Sequence, residues 1–193
     1  FERCFTPSFG TARGVFATIT GIPDVQLSKF STRNEESVNQ RTIINDFDGY
    51  EKYYFIGGRS QFNNFKGLVA NINRVHVYEE GSYKAPALNV WGISDKNLFL
   101  EANEVLSKQQ KPFFAIIQTA DNHRPFDIPE EDKDFARDLI TSEDLQKYGF
   151  ESLKEFHAFA YTDYCIKKFM EAAKKSPYFN NTIFVFTGDH GVE

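Results

Sequence analysis

The stretch FFAIIQTADNHR, residues 113–124, joins an apolar run to a polar end. Its first half is rich in β-branched and aromatic residues and lacks polar alternation, a pattern typical of a strand covered on both faces of a sheet. Residues 53–56 and 183–187 have the same character. We therefore predict buried strands at these three places, in a mainly parallel sheet.

Helical patterns separate these runs. Residues 11–20, 98–108 and 153–175 carry apolar side chains at helical spacing, and Ser152 begins a capping box for the longest of them. In the less regular part of the chain, the pattern of residues 74–78 predicts one short additional strand within a loop. Strands alternating with helices predict an α/β fold with a doubly wound, mainly parallel sheet flanked by helices.

Composition limits the class of protein. The 193 residues are 41% hydrophobic and include 21 Phe, enough for one globular domain with a core. The net charge of -5 and the lack of a basic cluster argue against nucleic acid as the main partner. Cys4 and Cys165 have no metal-type spacing. No apolar run approaches the roughly 18 residues of a membrane span, and no secretory signal opens the chain.

Each predicted strand runs directly into polar residues. GGRS (57–60), DNHR (121–124) and GDHG (188–191) follow the three runs. In open α/β sheets, ligands bind outside the carboxyl ends of the strands. The three polar groups are therefore predicted to converge on one edge of the sheet and to form a site there.

Two adjacent residues in the last group have the chemistry of metal ligands. Asp189 and His190 offer an oxygen and an imidazole nitrogen, a mixture that suits Zn²⁺ or Mn²⁺ better than Ca²⁺. The alternative interpretation of this pair is an ordinary surface loop. The preceding strand pattern and the flanking glycines favour a site, because they deliver the pair to the sheet edge.

Thr11 and His123 are the other candidates. Thr11 opens the first predicted helix, where backbone N–H groups and the positive dipole end favour a phosphate or sulfate ester. A plain N-cap role is the alternative for Thr11, since threonine is common there. His123 follows a buried strand, and its alternative is a loop histidine held by local hydrogen bonds. His76 and His157 are interpreted as structural.

Several stretches, taken in order, resemble the lipoteichoic acid synthase and phosphoglycerol transferase group of the sulfatase (alkaline phosphatase) superfamily. They are FGTARGVFATITGIP, YYFIGGRSQFNNFKG, WGISDKNLF, PFFAIIQTADNHRPFDIP and YTDYCIKKFMEAAKKSPYFNNTIFVFTGDHG. The resemblance implies an alkaline-phosphatase-like α/β fold. It also implies that residues 1–193 are a partial catalytic domain that lacks the first strand and the C-terminal part.

The resemblance assigns roles to the candidate residues. It implies that Thr11 is the nucleophile, bound to a divalent metal and transiently phosphorylated, and that Asp189 and His190 are metal ligands. His123 would contact the anionic group of the substrate, and Arg13 would be a further anion contact. The metal is expected to be one divalent ion, Mn²⁺ first, with Mg²⁺, Zn²⁺ or Ca²⁺ as alternatives.

Three departures from the family pattern shape the functional prediction. The acidic ligand that relatives carry upstream of the nucleophile has no counterpart here, so this stretch alone is expected to bind metal poorly and to be nearly inactive. FNNFKG (62–67) replaces the aromatic and basic residues that hold glycerol phosphate, which puts a glycerol-phosphate polymer substrate in question. Cys4 and Pro7 do not fit the C/S-x-P-x-R motif of true sulfatases, which favours phosphorus over sulfur chemistry.

The sequence therefore predicts a metal-dependent phosphotransferase or phosphodiesterase. Its expected substrates are phosphoglycerol- or phosphoethanolamine-type esters, as in a phospholipid head group or an envelope glycan. Its expected location is extracytoplasmic, in a bacterium, with any membrane anchor outside this stretch. A sulfatase of the same superfamily and a non-catalytic relative of the fold are the alternatives.

Overall fold

A parallel sheet forms the centre of the protein. The computed structural model describes residues 5–6, 9–25, 28–136, 140–141 and 143–191. Its three-stranded sheet has the order β2–β1–β3, and both strand pairs are parallel. The strands are β1 (Glu51–Ile56), β2 (Val75–Tyr78) and β3 (Phe113–Gln118). The predicted parallel α/β class is thus confirmed, and so is the short strand near residue 75.

Helices lie between and around the strands. The α-helices are α1 (Thr11–Thr20), α2 (Glu35–Val38), α3 (Phe65–Val69), α4 (Asp95–Leu106) and α5 (Leu153–Ala173). Short 3-10 helices are found at Ser31–Arg33, Ile43–Asp46, Phe62–Asn64, Glu130–Ala136, Gln146–Tyr148 and Phe179–Asn181. In the described ranges, no helix has the length and apolar character needed to cross a bilayer.

Helix starts follow the predicted caps. The Ser152 hydroxyl accepts the N–H of Glu155 at the start of α5, and the Glu155 carboxylate accepts the N–H of Glu151. Ser94 and Asp95 are the two caps that the sequence offers for the second predicted helix, and the structure uses Ser94, whose hydroxyl accepts the N–H of Asn97 so that α4 begins at Asp95. Helix α3 was not predicted, since its glycine-containing sequence FKGLV is too short to show a helical period.

Strand β1 is buried because both faces of the sheet are covered. Tyr54 packs on one face in a cluster with Phe16 of α1 and Leu68 of α3. Phe55 packs on the other face in a cluster with Leu98 of α4. Successive apolar side chains of β1 are therefore buried on opposite faces of the sheet. This is why apolar and polar residues do not alternate in the sequence of the strand.

The prediction of a buried strand at residues 183–187 is wrong. No strand forms there, and Ile183 and Val185 are 90% and 79% exposed. Phe184 does pack inward, against Phe169 of α5. Among the described residues β3 pairs only with β1, and a cavity of about 2160 Å³ is lined by β3 on one side and by residues 182–191 on the other. A strand needs a hydrogen-bonded neighbour, and the described chain places none beside this run.

Candidate active site

The first and last parts of the described chain meet at one contact. Oγ1 of Thr11 lies 3.2 Å from Nε2 of His190, although 179 positions separate the two residues. Thr11 is the first residue of α1, and Gly10 occupies the N-cap position without any side-chain cap. The alternative role of Thr11 as an N-cap therefore does not apply. Its half-buried hydroxyl instead faces an imidazole at the positive end of the helix dipole.

The tautomer of His190 follows from its second contact. Nδ1 lies 2.6 Å from the carbonyl oxygen of Gly191. A carbonyl oxygen can only accept, so Nδ1 carries the proton and Nε2 of the neutral ring keeps a lone pair. That lone pair is available to the Thr11 hydroxyl or to a cation. Fixing the far nitrogen on a carbonyl is how metal-binding histidines are commonly oriented.

Asp189 lies beside the same imidazole. Its Oδ1 accepts the backbone N–H of His190 at 3.0 Å, and its Oδ2 lies 3.7 Å from Nε2 of His190. Both side chains are only partly exposed. The carboxylate and the imidazole nitrogen therefore point to a common region next to Thr11.

A glycine in α1 allows this approach. A Cβ placed on Gly14 would come within 2.8 Å of the Cβ of Asp189 and closer still to its carbonyl. Any side chain at position 14 would push the two segments apart. Gly14 is one helical turn after Thr11, so this packing sets the distance between Thr11 and His190.

His123 lies on an exposed turn after β3 and lines the same large cavity as Thr11 and His190. Its Nδ1 lies 3.1 Å from the carbonyl oxygen of Arg124, so Nδ1 is the protonated nitrogen and Nε2 is left for a ligand. The indole of Trp91 packs against the imidazole, with ring centroids 4.1 Å apart.

Arg13 also lines the cavity but is only 5% exposed. Its guanidinium carbon lies 4.5 Å from the ring centroid of Phe9 and 4.5 Å from that of Phe30. Such cation–π contacts hold a cation in place. Arg13 is therefore a fixed positive charge near the N-terminus of α1.

The donor set beside Thr11 fits a borderline divalent ion. In the part of the chain that the structure describes, no three His, Cys, Asp or Glu side chains cluster as a metal site. Thr11 adds a third donor, so that a hydroxyl oxygen, the carboxylate of Asp189 and the Nε2 lone pair of His190 lie together. Oxygen and nitrogen donors in this mixture suit Mn²⁺ or Zn²⁺.

Sequence reasoning missed a buried pair of acids behind His123. Asp95 and Asp121 are 1% and 4% exposed, and each accepts a backbone N–H of the other. Burial raises the pKa of both carboxyl groups, and the charge of Asp95 raises that of Asp121 further. The quoted motif WGISDKNLF contains Asp95, but nothing in its spacing indicated which distant turn it would contact.

Two solved structures have a similar fold. A protein in the alkaline phosphatase superfamily from Vibrio parahaemolyticus superposes with a TM-score of 0.73 and 29% identity, covering 92% of this chain and 42% of that one. The lipoteichoic acid synthase LtaP from Listeria monocytogenes also gives a TM-score of 0.73, with 20% identity over 88% of this chain and 42% of the other. The fold is thus that of the alkaline phosphatase superfamily.

Sequence comparison agrees with the structural one. Lipoteichoic acid synthase 1 of Bacillus subtilis (strain 168) is 24% identical over 176 residues, which are 90% of this chain and 26% of that protein. The lipoteichoic acid synthase of Staphylococcus aureus (strain USA300) is 22% identical over 176 residues, with the same coverage of 90% and 26%. The chain thus spans about a quarter of the length of these relatives. The profile of the sulfatase family matches residues 1–193, and the chain belongs to that family.

Proposed function

We propose that the protein is a metal-dependent phosphotransferase or phosphodiesterase that works through a covalent phospho-Thr11 intermediate. Its substrates are phosphoglycerol- or phosphoethanolamine-type esters of a phospholipid head group or an envelope glycan. The similarity to lipoteichoic acid synthases supports a phosphoglycerol-transferase-like activity. It also supports an extracytoplasmic location, with the catalytic domain of the full-length protein held at a bacterial membrane.

The observation that carries the proposal is the contact between Thr11 Oγ1 and His190 Nε2 at 3.2 Å. A threonine hydroxyl is a weak nucleophile unless a base or a metal activates it. Here the hydroxyl sits at a helix N-terminus, where negative charge is favoured, and faces a nitrogen lone pair. A threonine that served only as a helix cap would have no such nitrogen lone pair beside its hydroxyl.

The reaction has two displacements at phosphorus. In the first, Oγ1 of Thr11 forms a bond to phosphorus while the bond to the leaving alcohol breaks, and the proton of the hydroxyl ends on that alcohol. In the second, the oxygen of water or of an acceptor alcohol forms a bond to phosphorus while the bond between Oγ1 of Thr11 and phosphorus breaks, and the proton of that water or alcohol ends on Thr11. His123 and Arg13 bind the anionic oxygens throughout, since both line the cavity that Thr11 lines.

Asp189 and His190 would hold the divalent ion together with Thr11. When bound, such an ion lowers the pKa of a coordinated hydroxyl and neutralises charge on the ester oxygens. The protein's own part is to keep Nε2 of His190 free of a proton through the Nδ1 bond to Gly191, and to fix Asp189 against α1 through Gly14.

The test uses the full-length protein with Mn²⁺ and a glycerophosphodiester substrate. Thr11→Val keeps the shape of the side chain but removes the hydroxyl, and it should abolish turnover. Thr11→Ser should retain it in part, and Thr20→Val, at the far end of the same helix and outside the cavity lining, should behave as wild type. Mass spectrometry of the quenched wild type should show the phosphoryl group on Thr11, still esterified to the alcohol that did not leave. Full turnover by Thr11→Val would rule the proposal out.

A sulfatase activity is the second candidate, because the matching family profile is that of the sulfatases. True sulfatases use a formylglycine made from Cys or Ser, whereas threonine stands at position 11. Parallel assays on an aryl sulfate and on the phosphodiester separate the two activities. Hydrolysis of the sulfate without turnover of the phosphodiester would favour the sulfatase.

A further inference from the structure

The loop WGISD, residues 91–95, lies against the turn that carries His123 and has no role in the reaction described above. It is anchored to the sheet at Gly92, which has φ 105 and sits so close to the carbonyl of Gly57, just after β1, that no side chain fits. The loop is therefore a fixed support rather than a free surface segment.

One end of this loop holds the start of the turn. The carboxylate of Asp95 accepts the N–H of Ala120 at 2.8 Å and the N–H of Asp121 at 3.1 Å. In return, the carboxylate of Asp121 accepts the N–H of Asp95 at 2.7 Å. These buried bonds tie the N-terminus of α4 to the residues that leave β3. Hydrogen bonds away from water are electrostatically stronger than exposed ones.

The other end of the loop holds the end of the turn. Nε1 of Trp91 donates to the carbonyl oxygen of Arg124 at 2.6 Å, and the indole packs on the imidazole of His123. The same carbonyl accepts the Nδ1 proton of His123. Trp91 thus contacts both the ring of His123 and the group that sets its tautomer.

The two attachments lie on either side of His123. Its own N–H donates to the carbonyl oxygen of Ala120 at 3.0 Å, and the N–H of Ala120 is held by Asp95. The imidazole therefore depends on Asp95 before the turn and on Trp91 after it. Its exposed position would otherwise leave several rotamers open.

We propose that Asp95 and Trp91 are positioning residues for His123, holding its imidazole at the cavity that Thr11 lines. The inference rests on the proposed function, in which His123 contacts the anionic group of the substrate. Asp95 is not among the residues that line the cavity, whereas Trp91 lines it beside His123. They act by fixing the turn, so that the imidazole of His123 is already oriented when the substrate binds.

Trp91, the single tryptophan of this chain, gives a direct readout. The imidazole of His123 packs against the indole, so acrylamide should quench the fluorescence of Trp91 weakly in the wild type and more strongly when the turn moves away. The measurement uses the full-length protein with Trp91→Phe as the blank. His123→Asn should raise the quenching constant, because the ring that packs on the indole is gone.

Asp95→Ala should raise the quenching constant toward that of His123→Asn, because the turn moves away from Trp91. Asp95→Asn, which matches the shape of a protonated carboxyl group, guards against misfolding and should raise the constant less, since its amide keeps one acceptor oxygen. Ser94→Ala is the matched control, because it removes the α4 cap without touching the turn. It should lower the melting temperature and leave the quenching constant unchanged. A wild-type quenching constant in both Asp95 variants would overturn the inference.

Kinetics distinguish this inference from the proposed function. Asp95→Ala should raise KM for the phosphodiester by about tenfold and change kcat less, as for a lost binding contact, whereas Ser94→Ala should leave KM unchanged. An unchanged KM in Asp95→Ala would also count against the inference. Turnover by Thr11→Val would overturn the proposed function, while the quenching of Trp91 would still report the Asp95 contact.

Discussion

Gly14 and Asp189 are in backbone contact, so closely that the space for a side chain at position 14 is already filled by residue 189. The contact joins α1, which carries Thr11, to the segment that carries His190. These two segments lie at opposite ends of the described chain. A single absent methyl group therefore controls whether Thr11 can meet the pair Asp189 and His190.

Replacing Gly14 by Ala should separate Thr11 from His190. Replacing Gly by Ala within a helix usually stabilises the helix by about 1 kcal/mol. A fall in melting temperature would therefore reveal the clash with Asp189. We expect turnover on the phosphodiester to fall by about 100-fold, since small misplacements of reacting groups have effects of that size. Thr20→Ala, at the far end of α1 and outside the cavity lining, is the control and should keep wild-type turnover. Equal activity in Gly14→Ala and wild type would show that the contact is not needed.

Added Mn²⁺ should stabilise the full-length protein through Asp189 and His190. An ion that binds only the folded state, present at 100 times its Kd, adds about 2.7 kcal/mol to the free energy of unfolding. Thermal unfolding with Mn²⁺ and with a chelator measures the difference. His190→Gln should remove most of the shift, while His76→Gln, whose half-exposed ring lies against Tyr53, should keep it. A shift that survives His190→Gln would place the ion elsewhere.

The stability of the fold should fall with rising pH because of Asp121. Burial and the neighbouring Asp95 raise the pKa of its carboxyl group, so the folded state holds a proton that the unfolded chain releases near pH 4. The stabilisation is complete below the unfolded pKa and is lost as pH rises through the raised pKa. Asp121→Asn, which cannot ionise, should narrow the difference in melting temperature between about pH 5 and pH 8. Asp163→Asn, on the exposed side of α5, should leave that difference unchanged.

Lys96 should matter for stability because its partner is buried. Its Nζ pairs with Asp132, whose side chain is 7% exposed and also accepts the hydroxyl of Tyr161. Lys96→Met leaves that carboxylate without its cation, and we expect a loss of about 3 kcal/mol in the free energy of unfolding by urea denaturation. The exposed pair of Lys84 and Glu104 is the control, and Lys84→Met should change the free energy by less than about 1 kcal/mol. Similar losses in the two variants would contradict this account.

Local pattern was enough for most elements of the fold. Helix α1 and strand β3 have the predicted bounds, and Ser152 caps α5 as its capping box indicated. These features depend on neighbours within a few positions, namely side-chain period, capping hydroxyls and β-branched content. The buried carboxylates were not predicted, because their bonds join α4 to a turn far along the chain.

The run at 183–187 shows where local pattern fails. Its composition is that of a buried strand, yet Ile183 and Val185 are exposed. Hydrophobicity can favour burial, but strand structure also requires a hydrogen-bonded neighbour, and that neighbour is decided by the rest of the fold.

The sequence by itself determined which residue types could do chemistry here: a threonine opening a helix, a histidine after β3, and an acid–histidine pair after an apolar run. Only the tertiary structure decided that Thr11 and His190 lie 3.2 Å apart, and that Asp95 and Trp91 hold His123. The physical reason is the distance along the chain over which each kind of interaction acts. Helix and strand preferences act over a few residues, whereas the site is made by packing between segments far apart along the chain, as at Gly14 and Asp189.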